Sequence, residues 1–152
     1  MKKRNIRLSI FLMLIFTILI STKSFAIKKT RLVNVFAYVK QASIFCQKLE
    51  RPGHSIYSHS GWAKHKSKRI IVRAIIKHLF DLSLNYSRLQ KKRLIKVFAY
   101  LKQAKLYLKN LDAANHSIYS HSGWARTQKW RRIKKAIKVN LKLIGFDIIK
   151  MI

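Results

Sequence analysis

The chain contains the same ten residues twice, and these decapeptides hold most of its candidate reactive side chains. The sequence HSIYSHSGWA occupies residues 54–63 and recurs unchanged at 116–125. Its four imidazoles would make a zinc or copper site if the two copies met in the folded chain. Neither copy contains a cysteine or carboxylate to complete a metal site locally, and a spacing of five residues does not place two imidazoles on one helix face. The candidate residues are His54, Tyr57, His59, Trp62, His116, Tyr119, His121 and Trp124.

A structural role is the alternative for the same residues. Ser60 and Ser122 would then cap a following helix that begins near Ala63, while the tyrosines and tryptophans seal the end of a helical hairpin. Against this, the predicted connection from Leu49 to Trp62 is longer than the roughly 2–8 residues usual between bundle helices. Two imidazoles and a cation are also able to cleave RNA by acid–base chemistry, but no carboxylate lies nearby to orient them. With only four Asp and Glu in the chain, we expect a protein without enzymatic activity.

Clusters of Lys and Arg beside each decapeptide give the strongest functional signal. The chain has 34 Lys and Arg against 4 Asp and Glu, a formal net charge of +30. Such a charge on a compact body costs self-repulsion and attracts polyanions strongly. Apolar residues recur at steps of three and four from Trp130 to Ile144, through the second cluster, which predicts a basic amphipathic helix. The predicted polyanion-binding residues are Lys64, Lys66, Lys68, Arg69, Arg73, Arg126, Lys129, Arg131, Arg132, Lys134, Lys135, Lys138 and Lys142.

Nucleic acid is the polyanion that this pattern favours, because the cations lie in helix-borne clusters. No helix-turn-helix spacing, zinc-finger ligand pattern or RNA-binding aromatic strand is visible, so binding is predicted to be nonspecific. The main alternative is a cationic membrane-active or antimicrobial protein, in which the basic amphipathic helix over 126–144 lies on an anionic bilayer. An acidic protein or polysaccharide of a host is the third class of partner.

The first 26 residues have the features of a secretory signal. A cationic start is followed by the uncharged, almost wholly apolar run Leu8–Ile20, which is too short to cross a bilayer as a helix. Small residues at Ser24 and Ala26 predict cleavage after Ala26, and hence a secreted or periplasmic protein. Together with the abundance of Lys and Ile, this signal favours a small effector-like protein of a host-associated bacterium, delivered to a host cell.

All these residues must be positioned by a chain that repeats itself with a period of 62. Val35-Phe36-Ala37-Tyr38 matches Val97-Phe98-Ala99-Tyr100, and the flanks of the decapeptides align without gaps. Positions that are apolar in both copies recur at steps of three and four, which predicts amphipathic helices. We therefore expect an all-α fold, with a helix, a loop and a helix in the first half (27–89) and again in the second half (90–152). The two halves are expected to pack as one domain, a pseudo-symmetric four-helix bundle, or as a swapped or homo-oligomeric version of it.

Differences between the halves carry further predictions. Four positions of the last predicted helix in each half are apolar in the first half and cationic in the second: Ile70, Val72, Ile76 and Phe80 against Arg132, Lys134, Lys138 and Lys142. This exchange predicts that the helix of the first half is buried on more than one side. Cys46 aligns with Leu108, so we favour simple burial of the thiol over an intermolecular disulfide or a redox role.

Overall fold

A computed structural model of the chain describes residues 27–48, 55–109 and 117–152, and the all-α prediction is confirmed for them. The predicted secretory signal, His54 and His116 lie outside these residues. The described part contains six α-helices and one 3₁₀ turn, Tyr86–Arg88. The helices are α1 (Lys29–Gln47), α2 (Ile56–Lys64), α3 (Lys68–Asn85), α4 (Lys91–Leu108), α5 (Ile118–Arg126) and α6 (Trp130–Ile149). None of these six is long and apolar enough to span a membrane.

The decapeptides form short helices where the sequence predicted loops. Ser55 begins α2 with a capping box: its hydroxyl accepts a hydrogen bond from the Ser58 amide (3.2 Å), and the Ser58 hydroxyl accepts one from the Ser55 amide (3.1 Å). Ser117 and Ser120 make the same box at the start of α5. Because each box satisfies amides that have no partner within the helix, a serine-rich segment of nine residues remains helical. Each half thus contributes three helices, and six packed helices replace the predicted four-helix bundle.

The predicted N-caps of the long helices that follow are wrong. The Ser60 hydroxyl lies inside α2 and donates to a carbonyl oxygen one turn earlier (2.8 Å), and Ser122 is likewise a buried residue within α5. The long helix of the first half begins at Lys68 rather than near Ala63, and the hydroxyl of Ser67 caps it. The decapeptide therefore caps and builds its own short helix instead of starting the next one.

The two halves pack on each other through α1 and α4, which lie antiparallel. The Arg31 guanidinium, in the first turn of α1, donates to the Tyr107 carbonyl near the end of α4 (3.3 Å). Arg93, in the first turn of α4, donates to the Phe45 carbonyl near the end of α1 (3.0 Å). Cations stabilise helix C-termini because the last carbonyls lack helical partners and carry the negative end of the helix dipole. The contact is reciprocal, since both the donors and the acceptors lie 62 residues apart.

Aromatic rings line the α1–α4 contact, and aliphatic side chains fill most of the remaining core. Tyr38 stacks on Tyr107 and Phe45 stacks on Tyr100, each with ring centroids 5.4 Å apart, and burial raises the pKa of Tyr38 to about 12. Cys46 is buried as predicted, and this burial raises the pKa of its thiol to about 11. α3 packs on α1, α6 packs on α4, and α3 contacts α6. Apolar residues buried at the predicted helical spacing include Leu32, Val35, Phe36, Val39, Ala42, Ile71, Ile75, Leu94, Val97, Phe98, Leu101, Ala104, Ile133, Ile137, Leu141 and Ile144.

The α3 helix is not buried on several sides, contrary to the prediction. Val72 is buried and Ile76 is partly buried, but Ile70 and Phe80 are 45% and 62% exposed. These two exposed residues lie on the same stripe of the helix as the exposed Arg73, turned away from α1. A helix at the edge of the bundle buries only the side that meets its neighbours, so an apolar residue on the outer stripe stays in contact with water.

Candidate functional site

The predicted polyanion-binding residues lie at the surface. Eleven of the thirteen are exposed, and Lys66 and Lys134 are partly buried. Their side chains are long and flexible, and Asp81 and Asp147 are the carboxylate side chains within the part of the chain that the structure describes. The surface around α6 and around the α2–α3 junction is therefore strongly positive.

The start of α6 combines cations with an exposed aromatic ring. Trp130 is 47% exposed, and its ring centre lies 5.2 Å from the guanidinium carbon of Arg131 and 4.5 Å from the ammonium nitrogen of Lys134. These are attractive cation–π distances. Lys134 also donates a hydrogen bond to the Ser87 carbonyl in the 3₁₀ turn. This bond links the first turns of α6 to the 3₁₀ turn that follows α3, and so holds the cationic start of α6 in place.

His59 and His121 point into the protein and bond to glutamine side chains. Nε2 of His59 donates to Oε1 of Gln41 on α1 (2.9 Å), and Nε2 of His121 donates to Oε1 of Gln103 on α4 (3.0 Å). Since a glutamine carbonyl oxygen only accepts, Nε2 carries the proton in both rings. Both imidazoles are buried and fasten a short helix to a long one. The described residues contain no group of three or more His, Cys, Asp or Glu suited to a metal, and the other two candidate histidines fall outside them.

The decapeptide tryptophans pack on phenylalanines of the long helices. Trp62 lies against Phe36 and Trp124 against Phe98, in each case with ring centroids 4.9 Å apart. Both indoles nevertheless keep 40% of their surface exposed. Each indole is therefore held in place by a phenylalanine ring and exposes part of its own ring to solvent.

The decapeptide tyrosines do not seal the end of a hairpin, contrary to the structural alternative proposed for them. Tyr57 and Tyr119 are 90% and 89% exposed. Each lies two residues before the buried histidine of its short helix, a step that places it on the opposite side. Their side chains are available at the surface, outside the core.

A cleft of about 550 Å³ opens between α4, α5 and α6. Phe98 and Trp124 form an aromatic wall, and Ser120 and His121 of the decapeptide also line it. Cations from α4 stand on one side of the cleft and cations from α6 on another. These lining cations are Lys102, Lys105, Arg132 and Lys135. The cleft thus brings together the decapeptide and the basic helix, two separate segments of the sequence.

Positive charge is crowded at this cleft. The pKa of Lys105 is lowered, first by partial burial and then by repulsion from Lys102 and Lys109, while Asp147 acts in the opposite direction. A bound anion would relieve this repulsion. Asn140 lines the same cleft, is 4% exposed, and its side chain makes no hydrogen bond within the described parts of the chain. Its amide is not among the described side-chain atoms that are fully buried without a partner, so it is accessible from the cleft and available to a ligand.

The corresponding region of the first half is less cationic. Ile70 stands at the position of Arg132, and Ser43 at the position of Lys105. Two of the four lining cations are therefore specific to the second half. This difference, visible in the sequence, was the signal that would have pointed to Lys105 as a site residue.

The two exposed indoles also differ in their surroundings. The ammonium groups of Lys40 and Lys66 lie 5.9 Å and 5.5 Å from the Trp62 ring centre. Gln128 occupies the position of Lys66 in the second half, and no cation–π contact to Trp124 occurs within residues 27–48, 55–109 and 117–152. The exposed part of the Trp124 ring is therefore accessible to a ligand and is not covered by a described cation.

His78 occupies the position of Asn140 in the first half. Its ring centroid lies 5.9 Å from that of Phe36, and its buried Nδ1 has no hydrogen-bonding partner among the residues that the structure describes. Burial, together with Lys40 and Lys77, lowers the pKa of His78 to about 4, with Asp81 opposing. The imidazole is therefore neutral near pH 7 and adds no charge to the first half.

Sequence reasoning found part of this cleft. It singled out Trp124, His121, Arg132 and Lys135, and the structure brings these four together. It did not single out the α4 lysines or Asn140, because these residues approach the decapeptide only when α4 and α6 pack side by side. Comparison of the chain with protein-family models, curated proteins and solved structures gives no match, so the residues themselves are the basis for a function.

Proposed function

We propose that this chain is an exported protein that binds nucleic acid without sequence specificity through its cationic surface. The observation that carries the proposal is the exposure of eleven of the thirteen predicted cations, in a described region that holds two carboxylate side chains. Phosphates that neutralise such cations release bound counterions, and this release supplies sequence-independent affinity.

The spacing of cations on α6 supports a contact with a phosphate backbone. Arg131 and Lys142 are separated by eleven residues, which corresponds to about 17 Å along a helix. Duplex DNA carries one charge for about every 1.7 Å of its axis. Several phosphates therefore lie within reach of this one helix, and the cations around α2 and α3 extend the positive surface.

A salt series tests the proposal directly. The purified protein is titrated into a fluorescent 20-base-pair DNA and the same RNA duplex at increasing salt. We expect binding to both duplexes, with log K falling by about 0.9 per log unit of salt for each phosphate neutralised. Absence of binding at physiological ionic strength would contradict the proposal.

A matched pair of variants separates a local surface from net charge alone. The first combines R131Q, K138Q and K142Q on α6, and the second combines K28Q, K48Q and K92Q, which are exposed residues outside the predicted set.

Both variants lose three charges. We expect the α6 variant to lower the affinity more and to reduce the salt slope by up to about 2.7. Equal losses in both variants would mean that binding follows total charge and not this surface.

An anionic membrane is the second candidate partner, and exposed apolar residues on α6 favour it. Trp130, Val139 and Phe146 are 47%, 48% and 49% exposed, interspersed among the cations. Cationic helices with exposed apolar side chains adsorb to anionic bilayers. Leakage of phosphatidylglycerol vesicles that persists at salt concentrations abolishing nucleic-acid binding would favour the membrane over the nucleic acid.

A further inference from the structure

We propose that the cleft between α4, α5 and α6 receives one unpaired nucleotide of a single-stranded nucleic acid, a contact that a paired base cannot make. The inference rests on the proposed function and specifies which part of the polymer this site takes. It follows from the shape of the cleft, its aromatic wall, its flanking cations and the asparagine amide that lines it.

The aromatic wall is suited to stacking. Trp124 is 40% exposed and is supported from behind by Phe98. Bases of single strands stack on such side chains regardless of sequence, because every base has a flat aromatic face. A cleft of about 550 Å³ lies within the range of roughly 300–1,000 Å³ that is usual for small-ligand sites. A base held in a duplex is already stacked and paired, so it cannot enter.

The cations stand where a strand passing through the cleft would place its phosphates. Lys102 and Lys105 come from α4, and Arg132 and Lys135 come from α6, so positive charge lines the cleft from two helices. Each nucleotide within a strand has a phosphate on either side. Charge from two helices therefore suits an inserted nucleotide better than it suits a single compact anion, which gains nothing from the indole.

Asn140 supplies the polar contact. The residue is 4% exposed and lines the cleft, and its amide, which has no hydrogen-bonding partner among the described residues, is accessible from the cleft because its polar atoms are not fully buried. An amide both donates and accepts, as the edges of all four bases do. It can therefore pair with a base edge without selecting one base strongly, which agrees with nonspecific binding.

The first half provides an internal comparison. Trp62 has the same exposure and the same phenylalanine support as Trp124, but two lysine ammonium groups lie within 6 Å of its ring centre. Ile70 and Ser43 replace two of the cleft cations there. We therefore assign the nucleotide site to the second half alone.

The test uses three probes of equal length and the purified full chain. The probes are fluorescent dT15, a 15-residue abasic strand with the same phosphates, and a 15-base-pair duplex. We expect dT15 to bind about tenfold more tightly than the abasic strand, as one stacked base contributes. W124L should remove this advantage and leave abasic binding unchanged, whereas W62L, its matched control, should retain it.

A second pair of variants guards against misfolding of W124L, which circular dichroism would reveal. R132I and K138I each replace one exposed α6 cation by the isoleucine that the first half carries at the same position, and only Arg132 lines the cleft. R132I should lower dT15 affinity several-fold more than K138I.

The outcomes separate the two proposals. Equal binding of dT15 and the abasic strand, equal effects of W124L and W62L, or equal effects of R132I and K138I would overturn the nucleotide site and leave nonspecific binding of the polymer intact. Failure of all three probes to bind would overturn the proposed function and this inference together.

Discussion

Removing Gln41 should destabilise the fold, because this side chain accepts the hydrogen bond of a buried imidazole. His59 is 3% exposed and Gln41 is 8% exposed, and 2.9 Å separates Nε2 from Oε1. In Q41L the leucine fills most of the space of the glutamine but leaves the Nε2 proton without its acceptor. An unsatisfied buried donor costs about 1–3 kcal/mol. For a domain of this size, each kcal/mol lowers the Tm by roughly 3–5 °C.

The assay is urea unfolding followed by helical circular dichroism at pH 7.5. Q47L is the control, since Gln47 is an exposed residue at the end of the same helix and the substitution is chemically the same. Such a surface change is expected to stay within about 0.5 kcal/mol of the original chain. Q103L in the second half should also destabilise the fold, but less than Q41L, because Gln103 is only partly buried.

The result bears on what the decapeptide histidines do. If Q41L unfolds at the same urea concentration as Q47L, then the bond does not hold α2 on α1, and the structural role of His59 is refuted. A loss in both halves would instead establish that each short helix is fastened by a histidine and a glutamine.

Three further predictions follow from the caps and the buried titratable groups. S55A should lower the free energy of unfolding by about 1 kcal/mol because it removes the cap of α2, whereas S60A should change it by less than about 0.5 kcal/mol. Urea unfolding of both variants measures the difference. A larger loss in S60A than in S55A would instead support Ser60 as the helix cap that the sequence predicted. Since the pKa of His78 is lowered to about 4 in the folded chain, the unfolded chain binds its proton first, and stability should fall as pH decreases from 7 to 4. H78N should make this loss of Tm shallower, and an unchanged pH profile would contradict it. Cys46 should react with a disulfide reagent only on unfolding, because its thiol is buried and its pKa is raised to about 11; rapid labelling of the folded protein would contradict this.

The long helices could be predicted from the sequence because their apolar positions recur in both halves. Val35 and Val97, or Ile71 and Ile133, are apolar at the same place in each copy, and all four are buried. A position that is apolar in both copies is a stronger candidate for burial than a position that is apolar in one copy by chance. The same reasoning is wrong for the outer stripe of α3, since apolar Ile70 predicts burial from the sequence but is 45% exposed in the structure.

The short helices could not be predicted from composition. The decapeptide is rich in serine and contains a glycine, residues that disfavour helix interiors. Their helices depend on a reciprocal serine cap and on the packing of His59 or His121 against a long helix. The cap was readable as a serine spaced three residues from another serine, but the packing contact joins residues 18 positions apart and requires the folded chain.

The two halves agree where the helices are fastened and differ around the cleft. The fastening contacts recur: Arg31 and Arg93 each bond a carbonyl of the opposite half, and Gln41 has its counterpart in Gln103. Around the cleft, by contrast, the second half has two lining cations that the first half lacks, and it has a glutamine in place of the lysine that lies over the other indole. Cations lie on two sides of an exposed indole, and the pKa of the lining Lys105 is lowered first by burial and then by repulsion from Lys102 and Lys109. These features are the basis on which we propose an anionic, aromatic ligand for the cleft.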